Sequence, residues 1–474
     1  MASAARSEST IEAMFKPDMN ETIDGSASSG FKLIELENDS KNENPMDATP
    51  TDTVTDVTND EVGAGAGDGA GAGSGSGEDL TDSKDDKSDE DDTVVKPKME
   101  RGISGLYNQG NTCFMNTFIQ CINSTPYLVS FFLSGLHLPI LEANFRKAAA
   151  AKGKELSDDE LDELMKGSVA YRTGNLLYGM WQKNRERVKP VQFRKHLMKH
   201  RSSMNNYRQH DTEEALTLFL ERCHEELKTN QVLQFPSPPQ EVIAVRNSLL
   251  QYSTAIEAAE DDETKNALKE EYNSIRDANV DIFTIIDSYQ KWNDLLKNDY
   301  SIITDTFTGL TVSTVECQSC HYKSNTFEQC TRLSIGLDES KTSESIYDCI
   351  KRYFQTEVIP KSDDSWKCSR CKERVEIHKG MKIWELPCML IVQLKRFEYL
   401  GKARKITSKI DFPINGLDIS DTVSKVNLFY KDDVPKYNLY AVANHSGGAD
   451  GGHYYAYCRN MLNGKWYEMN DTHA

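Results

Sequence analysis

Long apolar runs are missing from this chain. Across 474 residues no apolar stretch approaches the length of a membrane span, and the first fifteen residues contain no run that would serve as a signal-peptide core. Cysteine is sparse as well: eleven residues, an odd number, fall far short of a disulfide scaffold. Those absences lead to the expectation of a reducing compartment, cytosol or nucleus, where CxxC pairs more often bind metal than form disulfides. A basic surplus is also lacking, since 55 Lys and Arg stand against 74 Asp and Glu for a net charge of −19. Phosphate binding needs a basic face, so a zinc-ribbon nucleic-acid binder is disfavoured and no membrane insertion is expected.

The acidity is unevenly placed. Residues 1–100 hold 8 Lys and Arg and 25 Asp and Glu, or −17, which leaves −2 of the −19 for residues 101–474. The first hundred residues include the low-complexity run Gly63 to Gly77 and the acidic cluster Asp85 to Asp92. Such composition cannot bury enough apolar surface to offset the entropy of ordering the backbone, so residues 1–100 are expected to be a disordered acidic tail. One denser patch, Phe31 to Leu36, is read as a stray apolar segment or a partner-binding one.

What is present is concentrated in a few short stretches. Asn108-Gln-Gly-Asn-Thr-Cys113 is a Gly- and Asn-rich loop, and Phe114, Phe118, Ile119 and Ile122 then recur at helical spacing. This places Cys113 at a helix N-terminus, where the dipole and unpaired amides favour a nucleophilic thiolate. Asn108 and Gln109, just before it, can donate to a developing oxyanion. The alternative is that Cys113 is one more small buried hydrophobe, as isolated cysteines usually are.

Several helices are expected between Tyr127 and Arg201, and another at Asp211, an N-cap with Glu214 three residues on, close to a capping box. After Pro236, Pro238 and Pro239, residues 237–300 read as an inserted helical hairpin without catalytic residues. Strand patterns begin at Ile302. Cys317-Gln-Ser-Cys320 and Cys368-Ser-Arg-Cys371 form two knuckles whose four thiolates suit tetrahedral zinc. Met389 to Leu394 is apolar enough for a buried strand, and Tyr437 to Ala443 alternates. A glycine-rich loop then leads into His453-Tyr-Tyr-Ala-Tyr457, and Trp466 to Asp471 returns beside it. Asn463-Gly464 between them suggests a two-residue turn.

Together these stretches resemble the ubiquitin-specific protease family, papain-like thiol enzymes that cut after the C-terminal glycine of ubiquitin. Gly105 to Asn116 is similar to the family's cysteine box, and Gly451 to Tyr457 with Trp466 to Asp471 to its histidine box. The resemblance implies an α+β fold with papain-like thumb, palm and fingers: a thumb over about 101–236, the helical insertion over 237–300, and zinc-bearing fingers with a palm over 301–474. It assigns Cys113 as nucleophile, His453 as general base, Asn470 or its neighbour Asp471 as the residue orienting the imidazole, and Asn108 as oxyanion donor. Because the resemblance implies a His453–Asn470 pairing, a four-residue turn over Asn460 to Asn463, the register that puts those two residues opposite each other, is expected in place of the two-residue turn. Gln209 and Asp211 match the helix start that meets the Arg-bearing ubiquitin tail, and Cys317, Cys320, Cys368 and Cys371 match the zinc ligands. The implied partners are ubiquitin and ubiquitinated proteins, with a catalytically silent ubiquitin-binding scaffold as the alternative. Two departures stand out: Ala215 replaces a large aromatic, and the chain stops at Ala474, where the family continues into another palm strand.

Overall fold

A short strand, β1 (Gly105–Leu106), leads into α1 (Cys113–Asn123), and α1 is buried on nearly every side, not only on the expected apolar face. Its three buried amide side chains tolerate this because each finds a backbone acceptor. The side-chain amides of Asn116, Gln120 and Asn123 donate to the carbonyls of Leu106, Ser104 and Gly102 at 3.3, 2.7 and 2.8 Å. One helical step of four residues advances about 6 Å, close to two residues of extended chain, so a helix and a strand-like segment lie in register. The computed structural model describes residues 100–230, 238–398, 403–430 and 433–474. The acidic tail and its Phe31–Leu36 patch lie outside them.

The thumb continues through α2 (Pro126–Leu133), α3 (His137–Ala150), α4 (Asp158–Lys166), α5 (Val169–Trp181), the strand β2 (Arg187–Val188), which pairs parallel with β1, α6 (Val191–Met198) and α7 (Thr212–Leu227). Rings of Phe118, Phe193 and Phe219, from α1, α6 and α7, meet at centroid distances of 5.7, 5.9 and 6.2 Å. Ala215 is fully buried, and the aromatic packing of α7 comes from Phe219 one turn on. Asp211 does cap α7, accepting from the Glu213 N–H at 2.7 Å, but no capping box forms: the Glu214 carboxylate turns to Arg201 at 2.6 Å.

The expected helical hairpin is three helices, α8 (Gln240–Ala258), α9 (Asp262–Ala278) and α10 (Val280–Asp299). Val242, Ile285, Trp292 and Leu296 pack on Leu310, Val312, Phe327 and Trp384 of the following sheet. Ile302, where strands were expected to begin, opens instead one more helix, α11 (Ile302–Phe307), because Ser301 and Thr304 form a capping box there.

The first strand after the insertion is β3 (Gly309–Cys317), followed by β4 (Lys323–Cys330), β5 (Leu333–Gly336), β6 (Ser343–Ser345), α12 (Ile346–Tyr353), β7 (Glu357–Ile359) and β8 (Ile377–Glu385). Fingers are the four-stranded sheet β4-β3-β8-β7. Next come β9 (Val392–Lys395), parallel to β5 and starting three residues later than expected, then β10 (Phe397–Glu398), β11 (Arg404–Lys405) and β12 (Lys409–Asp411). The palm ends in the antiparallel sheet of β13 (Ala441–Gly447), β14 (Gly452–Arg459) and β15 (Trp466–Met469).

The β14–β15 hairpin corrects the expected turn. Cys458 pairs with Tyr467 and Arg459 with Trp466, so residues 460–465 form a six-residue connection. Asn460 builds it: its side-chain oxygen accepts from the N–H groups of Leu462 and Asn463, and its backbone bonds both Gly464 and Lys465. Gly464 sits at φ +69°. Neither expected turn, the two-residue one at Asn463-Gly464 or the four-residue one over Asn460 to Asn463, is present: the register is offset from both, and the Asn460 side chain braces the loop that the Asn460 N–H closes on the Lys465 carbonyl.

Candidate active site

Cys113 is the first residue of α1 and is 4 % exposed. The loop before it coils tightly, with Gly110 at φ +89° and Asn111 at φ +51°, conformations that glycine and asparagine tolerate best. Coiling turns the Asn108 side-chain oxygen inward, where it accepts from the N–H groups of Gly110 and Thr112 at 3.0 and 3.1 Å. Its amide nitrogen therefore points outward and donates to one carboxylate oxygen of Asp471 at 2.9 Å. The other Asp471 oxygen accepts from Asn116, three residues after Cys113, at 2.8 Å.

Burial pushes the Cys113 thiol up from its ordinary value, and the nearby Asp471 charge adds to this; the backbone N–H groups of Tyr454, Phe114 and Cys113 pull the other way. The helix-end amides act in the expected direction, and burial opposes them. The amide donors are present but do not outweigh desolvation. The Tyr454 contact also fixes where Cys113 lies: against the residue that follows His453.

His453 stands near the start of β14, and its Nε2 lies 2.8 Å from Asn470 Oδ1. The Asn470 amide nitrogen in turn donates to Glu468 at 3.4 Å, which sets the amide with its oxygen toward the ring. Nε2 is then the protonated nitrogen, and Nδ1 keeps the lone pair that a base needs. Continued past Ala456–Met469, the β14–β15 register would put Thr472 opposite His453. Instead Asp471 adopts φ +48° and the chain closes through paired bonds between Asn470 and His473, bringing Asn470 diagonally to the imidazole. Of the two residues proposed for the third place, Asn470 meets His453 and Asp471 meets the two asparagines.

Gln209 and Asp211 come to the same place from α7's N-terminal side. Gln209 bonds both backbone groups of Gly452, and Tyr454 Oη donates to Asp211 Oδ2 at 3.4 Å. Asn116 and Gly452 are the participants that sequence reasoning missed. Asn116 had a signal, a polar side chain one turn after the nucleophile on a helix of buried residues.

In the fingers, the four knuckle sulfurs lie within 4.8 Å of one another. Sulfur separations of 3.4, 3.6 and 3.9 Å are close to the roughly 3.8 Å edge of a tetrahedron with metal–sulfur bonds of about 2.3 Å. The two knuckles share one geometry. In each, the residue after the second cysteine, His321 or Lys372, has positive φ and its N–H returns to the carbonyl of the first cysteine.

The family profile for ubiquitin carboxyl-terminal hydrolase matches residues 104–474. This chain belongs to that family. Among relatives, the probable ubiquitin carboxyl-terminal hydrolase R319 of Acanthamoeba polyphaga mimivirus is 26% identical over 411 residues, covering 80% of this chain and 87% of that one. Human ubiquitin carboxyl-terminal hydrolase 2 is 28% identical over 381 residues, covering 80% and 53%. Human ubiquitin carboxyl-terminal hydrolase 21 is 29% identical over 384 residues, covering 78% and 58%, so the chain spans little more than half of these two human relatives. A solved structure of the SAGA Ubp8/Sgf11/Sus1/Sgf73 DUB module bound to ubiquitin aldehyde shares the fold, with a TM-score of 0.52 at 21% identity over 80% of this chain and 67% of that one. The fold of this chain is accordingly the α+β hand of thumb, palm and fingers.

Proposed function

We propose that the chain is a cysteine-type deubiquitinase that hydrolyses the bond after the C-terminal glycine of ubiquitin. The observation that carries this reading is the convergence of Cys113, the Asn470-held imidazole of His453 and the Asp471-held amide of Asn108 where thumb meets palm. His453 Nδ1 takes the thiol proton, and the sulfur attacks the glycine carbonyl while Asn108 Nδ2 donates to the oxyanion. As the tetrahedral centre collapses, the carbon–nitrogen bond breaks and the amine leaves with the proton held by His453. Water, deprotonated by the same imidazole, then breaks the thioester and frees the carboxylate.

The finer assignment for the fingers is one zinc ion held by Cys317, Cys320, Cys368 and Cys371, supported by the tetrahedral sulfur spacing. Zinc there acts on folding, since it joins two knuckles far apart in the chain. Ubiquitin and ubiquitinated proteins are the proposed partners. The test is a ubiquitin probe with a thiol-reactive C-terminus, which should form one covalent adduct that Cys113→Ser abolishes. Removing a member of such a unit typically costs thousands-fold or more in rate. A Cys113→Ser variant that keeps most of its activity, or a wild type that ignores the probe, refutes the assignment.

A further inference from the structure

We propose that Gln209 is a positioning residue for the reaction: by holding both backbone groups of Gly452 it fixes His453, the next residue, relative to the thumb that carries Cys113. Gln209 Nε2 donates to the Gly452 carbonyl and Gln209 Oε1 accepts from the Gly452 N–H, each at 2.8 Å. The side-chain amide thus behaves as a neighbouring strand would. That slot is open because β15 pairs with β14 only over residues 456–459, and Gly452 lies beyond the reach of this ladder.

The space around Gly452 leaves its backbone little freedom. A Cβ on Gly452 would lie 2.1 Å from the Ser446 carbonyl oxygen and 2.5 Å from His445 Nε2, and a Cβ on Gly451 would lie 3.2 Å from Gln209 Oε1. On the palm side Lys405 Nζ donates to the carbonyls of His445 and Gly447 at 2.7 and 3.0 Å and lies 2.9 Å from His445 Nδ1. The glycine loop is therefore held to the palm at one end by Lys405 and to the thumb at the other by Gln209. Nucleophile and base sit on different lobes, and the Gln209 tie spans those lobes one residue from the base. The resemblance placed Gln209 in ubiquitin-tail binding; the geometry engages both ends of its amide with the enzyme itself.

The proposal rests on the deubiquitinase reading only for its turnover assay. The test compares Gln209→Glu and Gln209→Ala with wild type by kcat and KM on a ubiquitin C-terminal fluorogenic substrate. A second readout is the pH profile of Cys113 alkylation by iodoacetamide in the free enzyme. In Gln209→Glu, the ionised side chain still accepts from the Gly452 N–H but faces the Gly452 carbonyl with a second acceptor. Losing that donor and leaving a carbonyl unpaired is expected to lower kcat on the order of ten- to a hundred-fold near pH 8, with KM changed by less than about twofold.

As pH falls and the introduced carboxyl gains a proton it can donate again, so the variant-to-wild-type ratio of kcat should recover. Arg208, His210 and Asp211 in the same segment, and His445 and His453 beside Gly452, are common to wild type and both variants, so Gln209→Ala, which shares them and lacks the introduced carboxyl, is the control for their contribution. Gln209→Ala should show the loss without the recovery, and both variants should shift the alkylation profile. If Gln209→Ala does not fold, the recovery of Gln209→Glu at low pH decides the matter alone. A KM increase at unchanged kcat, or an alkylation profile identical to wild type, overturns the proposal. A wild type with no ubiquitin turnover instead overturns the deubiquitinase reading, and the alkylation profiles then decide on Gln209.

Discussion

Asp471→Asn separates two roles that its neighbourhood combines. The carboxylate accepts from Asn108 at 2.9 Å and from Asn116 at 2.8 Å, and its charge also helps keep the Cys113 proton in place. Asparagine keeps the size and tolerates φ +48°, so the backbone bond from Leu106 N–H to residue 471 should survive. Its amide can accept from only one of the two asparagines and presents an NH₂ to the other. A hydrogen bond to a charged group contributes about 1.5–3 kcal/mol, which converts to roughly 10- to 150-fold at about 1.4 kcal/mol per decade. If the unhooked group is Asn108, the loss falls on the oxyanion, where one donor is typically worth about 10²–10³ in kcat. Removing the negative charge, by contrast, lowers the Cys113 pKa, so at fixed neutral pH more thiolate is present and the alkylation curve moves to lower pH. The expected outcome is opposed changes: ubiquitin turnover falls about ten-fold or more while iodoacetamide labels Cys113 faster. Parallel losses in both assays would mean that Asp471 acts on the Cys113–His453 pair directly, and the division of labour between residues 470 and 471 would be wrong.

Asn470→Ala removes the acceptor that holds Nε2–H and should lower kcat on the order of 10²–10⁴-fold, as loss of the orienting group does in related triads; Asn470→Asp, which still accepts that proton, should stay within about ten-fold of wild type in the same assay. Zinc removal by a chelator, or Cys317→Ser, should lower the melting temperature measurably, by at most roughly 2–4 °C per kcal/mol lost, the range for domains somewhat smaller than this one, with a smaller effect on kcat. Metal analysis should find about one zinc per chain; far less than one with the fold intact would leave the cluster without a metal role.

Legibility in the sequence followed the range of the interaction. The knuckles were readable because a CxxC turn is local, and its geometry repeats at Cys317 and Cys368 whatever surrounds it. The start of α1 at Cys113 was readable from apolar spacing, although the burial of Asn116, Gln120 and Asn123 was not, since their partners are carbonyls of an extended segment just upstream. The α11 capping box at Ser301 is hard to read because β-branched Ile302, Ile303, Thr304 and Thr306 look like a strand, and a satisfied N-cap overrides that preference. The third helix of the insertion is hidden for a related reason. Its apolar residues serve the fingers sheet, and a two-helix hairpin has no need of them.

The terminal hairpin shows how far a demand from chemistry can replace local rules. If Asn470 reaches His453 by direct opposition on paired strands, the turn must have four residues. The structure meets the same demand otherwise: the ladder stops at Ala456–Met469, and the departure of Asp471 into the left-handed region bends the chain so that Asn470 reaches across. That bend does a second thing a straight strand would not. It takes the Asp471 side chain off the face of the sheet and places it between Asn108 and Asn116, one on the loop before Cys113 and one on the helix after it. Because the chain leaves the strand direction at Asp471, the adjacent side chains of residues 470 and 471 go to different partners and can serve the base and the oxyanion donor respectively. One local distortion therefore sets both sides of the reaction centre, and a residue without tolerance for positive φ at 471 would misplace both.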